Sequence, residues 1–391
     1  MLSWEYPPLV VGGLGRHVDA LSRELAAAGH DVRVVSRGES CAEVDEVREG
    51  VRVRRAAADP IAVDFTTETL LAWTQAAEHA LVRAALPVVR RWRPDVVHAH
   101  DWLVAQTGIT LAEVTGAPLV VTMHATEAGR HQGWLPKPLN LAIHSVERWL
   151  AHRAAAVITC STAMHDEATS LFELAEDRVV VVPNGIDPAR WRGTARARAA
   201  ARARHAGAGP LLVFAGRLVH EKGLQTLLDA MPALRRVHPE LRLLVAGTGV
   251  FEGQLQARAR RLRVARAVEW AGFVPEVELA PMLGAADLAV VPSLYEPFGI
   301  IALEAAAART PLVVARTGGL QDLVRNGVAA ASFPPGDVAA LTAAVLAVLA
   351  DGGASRSRPG VDRIIRRDYT WRAVAAHTAA VYARAGAGAG S

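Results

Sequence analysis

The sequence predicts an α/β protein made of two doubly wound domains with parallel strands, arranged in tandem. Three observations carry that expectation. Short β-branched runs alternate with stretches of helical periodicity, the pattern of βαβ units. The alternation breaks once, at Pro183-Asn184-Gly185 and the Ala/Arg/Gly-rich residues 189–209, and restarts at Leu211. The chain has 391 residues and is 51% hydrophobic, enough to fill two cores of ordinary size.

In the first half, Leu14, Val18, Leu21 and Leu25 recur at helical spacing after a glycine turn, and Gly29 is placed to cap that helix. Strands are expected at residues 31–36, 95–98, 118–123, 156–159 and 179–182, with helices between them. The second half repeats the pattern with strands at 211–216, 241–247, 268–272, 287–293 and 311–315. Residues 371–383 read as a last helix, and the closing AGAGAGS as a disordered tail over 385–391. The expected boundaries are a first domain at 1–188, a linker at 189–209 and a second domain at 210–368. Met1-Leu2-Ser3-Trp4 leaves little room for a first strand before the glycine turn, so a late start and a frayed first strand are expected.

Composition excludes several classes. No run reaches the ~18 apolar residues a membrane span needs, and the N-terminus lacks the charged and apolar regions of a secretory signal. A cytoplasmic, soluble protein is expected. Cys41 and Cys160 are too few for a disulfide framework and too far apart for a zinc cluster, and read as buried thiols. The net charge of +4 is carried almost wholly by arginine, spread along the chain, and aromatics are only 5%. Nucleic acid is therefore not an expected partner. The arginines of 189–209 read as a solvated connector, with weak contact to an anionic membrane surface as the sharper alternative.

Chemistry is expected just beyond the carboxyl ends of the strands. Gly12 and Gly13 form a turn entering a helix, suited to presenting backbone N–H groups to an anion. The turn lacks the third glycine of the dinucleotide fingerprint, since Val18 stands there. Next come His98, His100, Asp101 and Trp102 after one strand, and His124, Glu127, Arg130 and His131 after the next. These are metal-ligand types, yet no helix carries an i, i+4 histidine pair, so no metal is expected. In the second half Arg217 and Lys222, the latter one of only two lysines, stand at a turn entering a helix. Two fixed cations there suit a leaving diphosphate; a salt-bridged surface turn is the alternative. Glu296 and Glu304 are eight residues apart, and a carboxylate accepts a pair of hydroxyl hydrogen bonds. Gly318 and Gly319 form a second glycine turn.

Together these residues resemble a known family. G-R-L-x-x-E-K-G (216–223) and E-P-F-G-x-x-x-L-E (296–304), with the N-terminal glycine turn, H-A-H-D-W and P-N-G-I-D, look like the signature of retaining family-4 glycosyltransferases. The resemblance spans essentially the whole chain. It implies the GT-B fold: two Rossmann-like domains facing across a cleft, with residues 369–384 as a C-terminal helix crossing back to the N-terminal domain. Within the family, residues 3–18, 97–105 and 124–134 look most like α-1,4-glucosyltransferases of glycogen and methylglucose polysaccharide synthesis.

The resemblance implies roles for named residues. Arg217 and Lys222 would hold the donor diphosphate of UDP- or ADP-glucose, with Gly12 and Gly13 lending N–H groups. Glu304 would hold the ribose, and Glu296 the hydroxyls of the transferred sugar, beside Pro297, Phe298, Gly299 and Ile300. His124 would sit against the glucosyl ring and Asp101 would orient glucose or acceptor. Trp102, Glu127 and Arg130 would touch the α-glucan acceptor. No cofactor or essential metal is implied. A lipid- or phosphosugar-directed transferase shares this donor signature; a sugar-nucleotide epimerase and a binding-only module fit it less well.

Overall fold

A computed structural model of the chain describes residues 1–9, 12–59, 61–352 and 360–388. Contacts divide it into two compact units, Met1–Gly185 with Trp371–Ser391, and Ile186–Thr370.

The first unit is an eight-stranded sheet: β1 (Leu2–Ser3), β2 (Arg33–Arg37), β3 (Val44–Arg48), β4 (Val51–Ala56), β5 (Val97–His100), β6 (Leu119–Met123), β7 (Ala156–Thr159) and β8 (Val179–Val181). Its order is β3-β4-β2-β1-β5-β6-β7-β8, parallel except for the β3–β4 hairpin. Helices α1 (Gly13–Ala27), α2 (Leu70–Arg91), α3 (Ala105–Thr115), α4 (Glu127–Arg130), α5 (Pro138–Arg153) and α6 (Thr162–Phe172) connect the strands. The first strand is not frayed. It has two residues but is central, with Leu2 opposite both Val35 and Ala99, and Leu2 and Ser3 are buried. The β3–β4 hairpin was not expected; β3 is an edge strand with mostly exposed side chains, so it lacks a strong apolar signal.

The second unit opens with α7 (Ala195–His205), followed by β9 (Leu211–Ala215), α8 (Leu224–Val237), β10 (Arg242–Ala246), α9 (Glu252–Arg261), β11 (Val268–Gly272), α10 (Glu276–Ala285), β12 (Leu288–Val291), α11 (Ile300–Ala307), β13 (Leu312–Ala315), α12 (Leu320–Arg325), β14 (Ala331–Phe333), α13 (Val338–Ala350) and α14 (Val361–Asp368). All its strands are parallel, in the order β11-β10-β9-β12-β13-β14. Numbered within the unit this is 3-2-1-4-5-6, the order of a Rossmann sheet, whose direction of winding reverses between its first and fourth strands. Apolar side chains fill both strand faces: Leu212, Phe214, Leu243, Val245, Leu288 and Val290 are buried in one core, and Val213, Leu244, Ala289 and Val291, which alternate with them, are buried on the other face.

Two expectations about the connecting segments are corrected. Residues 189–209 are not a bare linker. Ala-rich sequence has the best helix propensity, the Thr194 hydroxyl accepts from the Ala197 N–H as an N-cap, and α7 packs on α10. Nor do its arginines lack acidic partners: Arg202 pairs with Asp287, Arg192 with Asp362 and Arg190 with Asp187 and Glu276. At the other end, α15 (Trp371–Gly388) runs through four of the residues expected to be disordered and belongs to the first unit, where Ala385 is buried beside Val374 and Val381. Residues 389–391 of that expected tail lie outside the described residues. Among the described residues, no helix is long and apolar enough to cross a membrane. Cys160 is buried as expected, but Cys41 is exposed.

Candidate functional site

In the second unit, the segments after β9 and β12 meet at the reversal point of the sheet. The chain leaves β9 and makes a 3₁₀ turn, His220–Lys222, closed by Gly223 at φ +69°. A Cβ at Gly223 would lie 1.9 Å from the Pro292 carbonyl oxygen, so only glycine lets the two segments approach this closely. The Glu221 carbonyl accepts the Leu294 N–H at 2.8 Å, tying them together. Across this junction the Lys222 ammonium donates to both carboxylate oxygens of Glu296, at 2.8 and 2.7 Å, and the Ser293 hydroxyl donates to Oε2 at 2.9 Å. The Glu296 side chain is 8% exposed and that of Lys222 21%. The second glycine turn supports the same loop from behind: Gly319 N–H donates to the Glu296 carbonyl at 2.9 Å.

The expected donor-site residues are thus partly gathered. Lys222 and Glu296 are joined, while Arg217 is 69% exposed and pairs with Glu221 at 3.4 Å. Phe298 and Gly299 are buried, Pro297 and Ile300 half-buried. Glu304 is half-buried in the second turn of α11, a helix that begins immediately after Gly299. An ionised carboxylate has about four lone-pair directions. Glu296 has three occupied, so it has room for one sugar hydroxyl while Lys222 stays on it, not the pair expected.

In the first unit, β5 extends to His100, so His100, like His98, is a strand residue rather than a residue beyond the strand end. Side chains two apart share a face, and their rings lie 4.1 Å apart. Asp101 is the first residue past β5, at φ +61° and ψ 175°, a backbone conformation that non-glycine residues seldom adopt. Its carboxylate accepts the His124 N–H at 2.8 Å, which fixes the start of the segment after β6. Burial raises Asp101 to about 6, opposed by that hydrogen bond and by the charge of Arg130. Burial holds His124 at about 4, with Arg130 adding to the effect. Both therefore work near neutral pH as a carboxylate beside an uncharged imidazole.

Around them lies a network only partly legible beforehand. His17, from α1, donates Nδ1–H to the Asn184 side-chain oxygen at 2.8 Å and packs edge-on against His124, ring centroids 4.6 Å apart. His100 Nδ1 lies 3.3 Å from His124 Nε2. His98 binds the Tyr382 hydroxyl of α15 at 2.6 Å and Thr122 at 2.7 Å. Burial keeps His17, His98 and His100 well below their ordinary pKa. One ring nitrogen from each of His17, His100 and His124 lies within 4.8 Å of the other two, a set that could hold a metal.

The acceptor-side residues are dispersed. Trp102 is half-buried in a 3₁₀ turn and Arg130 is exposed. Glu127 is buried, and its carboxylate takes the Asn140 amide at 2.5 Å and lies 3.4 Å from His131 Nε2. Its N–H donates to both oxygens of Glu147 at 2.9 and 3.1 Å. Glu147, missed from the sequence, is raised to about 8 by burial and by the charges of Asp101 and Glu127. A signal was present: Ile143, Glu147 and Leu150 follow helical spacing, which puts a carboxylate on the apolar stripe of α5.

Similarity to known proteins follows the same division. Residues 11–190 match the family described as Glycosyltransferase Family 4, and residues 196–361 that described as Glycosyl transferases group 1. The glycogen synthase of Mycobacterium tuberculosis is 49% identical over 395 aligned residues, which cover 98% of this chain and 93% of that one. The chain belongs to glycosyltransferase family 4. As a family-4 glycosyltransferase it is a hexosyltransferase, with the two Rossmann-like units of the GT-B fold. Its fold is shared by the sucrose-phosphate synthase of Thermosynechococcus elongatus, with a TM-score of 0.81, 24% identity and coverage of 98% of this chain and 97% of that one. It is also shared by the catalytic domain of starch synthase IV of Arabidopsis thaliana bound to ADP and acarbose, with a TM-score of 0.76, 18% identity and coverage of 99% and 98%. In this family-4 glycosyltransferase both clusters described above sit at the carboxyl ends of strands beside a reversal of winding, where open α/β sheets bind ligands.

Proposed function

We propose that this family-4 enzyme transfers glucose from a nucleotide-glucose to the non-reducing end of an α-1,4-glucan, retaining the anomeric configuration. The observation that carries the chemistry is the half-buried Lys222 ammonium held on Glu296 at the sheet reversal of the second unit. The relation to a glycogen synthase along nearly its whole length supports the glucan acceptor.

Lys222, with the exposed guanidinium of Arg217, neutralises the diphosphate as its charge grows on departure, an electrostatic stabilisation of the transition state. Glu304 takes the ribose diol and Glu296 one hydroxyl of the glucose. In the first unit, Asp101 and uncharged His124 orient the sugar and the acceptor, and Gly13 lends its N–H to the phosphates, the Gly12 N–H being held by the Glu5 carboxylate at 3.0 Å. The bond from the glucose anomeric carbon to the phosphate oxygen breaks while the acceptor hydroxyl oxygen bonds to that carbon on the same face. The acceptor's proton passes to the departing phosphate oxygen. Protein cations supply the positive charge, so the transfer needs no metal, and we place it in the cytoplasm.

The deciding experiment incubates the purified chain with UDP-glucose or ADP-glucose, with and without malto-oligosaccharides, and follows nucleotide release and product length. Acceptor-dependent release with stepwise lengthening and α-linked product, unaffected by EDTA, is expected and assigns the donor base. Release without lengthening would overturn the glucan reading.

A further inference from the structure

We propose that His17, His100 and His124 form a binding site for a borderline divalent transition metal of the Zn²⁺ type, and that occupancy inhibits transfer. The second half of this inference rests on the placing of His124 against the donor sugar; the first does not.

Three elements of one unit deliver the ligands: His17 from α1, His100 from the end of β5, and His124 from the end of β6. His17 and His100 are 5% and 0% exposed. Because His17 Nδ1–H is spent on the Asn184 oxygen, its Nε2 carries the lone pair. An imidazole oriented by an amide or carboxylate oxygen on its other nitrogen is the usual support of a metal-bound histidine. His100 Nδ1 and His124 Nε2 are 3.3 Å apart, which matches the edge of a tetrahedron with Zn–N bonds of ~2.0–2.1 Å, roughly 3.3–3.4 Å. His17 completes the set, with a ring nitrogen within 4.8 Å of the other two.

The all-imidazole donor set selects Zn²⁺, Cu²⁺ or Ni²⁺ over Mg²⁺, which wants oxygen. Three protein ligands leave a fourth position for water. Metal on His124 Nε2 would take that nitrogen away from the sugar and put a hydrated dication against the glucosyl ring. The metal is therefore an inhibitor here and not a cofactor.

The test uses the metal-stripped full chain carrying Cys41→Ser, which removes the exposed thiol as a competing ligand. Zn²⁺ is titrated against a chromophoric chelator, and Co²⁺ is added separately as a spectroscopic probe. One site per chain is expected, with Co²⁺ visible bands of tetrahedral intensity and no thiolate charge-transfer band. His17→Gln should weaken binding by at least about 100-fold, and Asn184→Ala, which removes only the supporting oxygen, by about 10- to 100-fold. Circular dichroism and melting check that each variant is folded, and the Co²⁺ spectrum of the unsubstituted trio stands whether or not they are. Unchanged affinity in folded His17→Gln, or octahedral Co²⁺ bands, would overturn the site. In the transfer assay Zn²⁺ should inhibit reversibly by EDTA, with the half-inhibitory concentration rising in His17→Gln by the same factor as the dissociation constant. Stoichiometric binding with no inhibition would overturn the inhibitory role. If no donor is turned over under any condition the glycosyltransfer reading fails, while the Zn²⁺ titration still decides the site.

Discussion

Replacing Glu147 by Gln should make the first unit more stable at alkaline pH and remove a large part of its pH dependence. Glu147 is raised from its ordinary value near 4.5 to about 8, chiefly by burial and then by the charges of Asp101 and Glu127, with the hydrogen bond from the Glu127 N–H and, less, Arg130 opposing. A carboxyl whose folded pKa is raised binds more protons folded than unfolded. Its contribution to stability is complete below about 4.5, falls as pH rises, and is gone above about 8. The slope is about 1.4 kcal/mol per pH unit, on the order of 5 kcal/mol over the whole window and 3–4 between pH 5 and pH 8. Gln has the shape of the protonated acid and keeps an oxygen for the Glu127 N–H. The variant and the parent should therefore be close at pH 5 and diverge by that amount at pH 8. Native-state hydrogen exchange on peptides covering α4 and α5, corrected for intrinsic rates, reads the opening free energy of this region alone. Parallel pH slopes for the two proteins would refute the reasoning.

Three further outcomes are expected. Lys222→Ala should lower kcat/KM by about 10²- to 10³-fold. It also strands the buried Glu296 carboxylate, so adding Glu296→Gln should restore the melting temperature but not the rate; recovery of both would refute the diphosphate role. Gly318→Ala puts a Cβ 1.8 Å from the Glu296 carbonyl oxygen at φ +48°, so the loop must shift, costing ~1–3 kcal/mol. A displacement near 1 Å should cost about 10²-fold in turnover, and an unchanged rate would show that the loop position is unimportant. Glu304→Ala should raise the donor KM about 10- to 100-fold, the loss of a charged hydrogen bond of ~1.5–3 kcal/mol, with kcat nearly kept; a selective fall in kcat would move Glu304 into the chemistry.

How much of this was legible depended on the range over which each residue finds its partner. Strands β7 and β11 matched their expected bounds: β7 is a short β-branched run that stops just before the helix N-cap Ser161, and β11 closes on Gly272 at φ +68°. The Lys222 and Glu296 motifs were readable as local strings, although their contact joins residues 74 apart in sequence. Hidden were the links that only folding creates. Asn184 reaches His17 across 167 residues and Tyr382 reaches His98 across 284. Glu127 looked like a ligand for sugar because its neighbours in sequence did, yet its carboxylate is turned to Asn140 on α5. Strand β3 and the helix within 189–209 were missed for a different reason: neither has an apolar stripe, and each is held by partners elsewhere, whereas β4, with buried Val51 and Val53 alternating with arginine, carried a signal that was passed over.

The return of α15 to the first unit sets an order of assembly during synthesis. Residues 186–370 are contiguous and can complete their own sheet as they emerge. The first unit cannot, because Val374, Ala375 and Val381 line its core and Tyr382 holds His98, and these come from a helix made after the whole second unit. Until then the unit that carries His17, His100 and His124 is an open template, one apolar face uncovered while nearly two hundred residues are still being added. The interrupted unit thus keeps apolar surface open for longer, whereas the inserted unit can complete its core before its host.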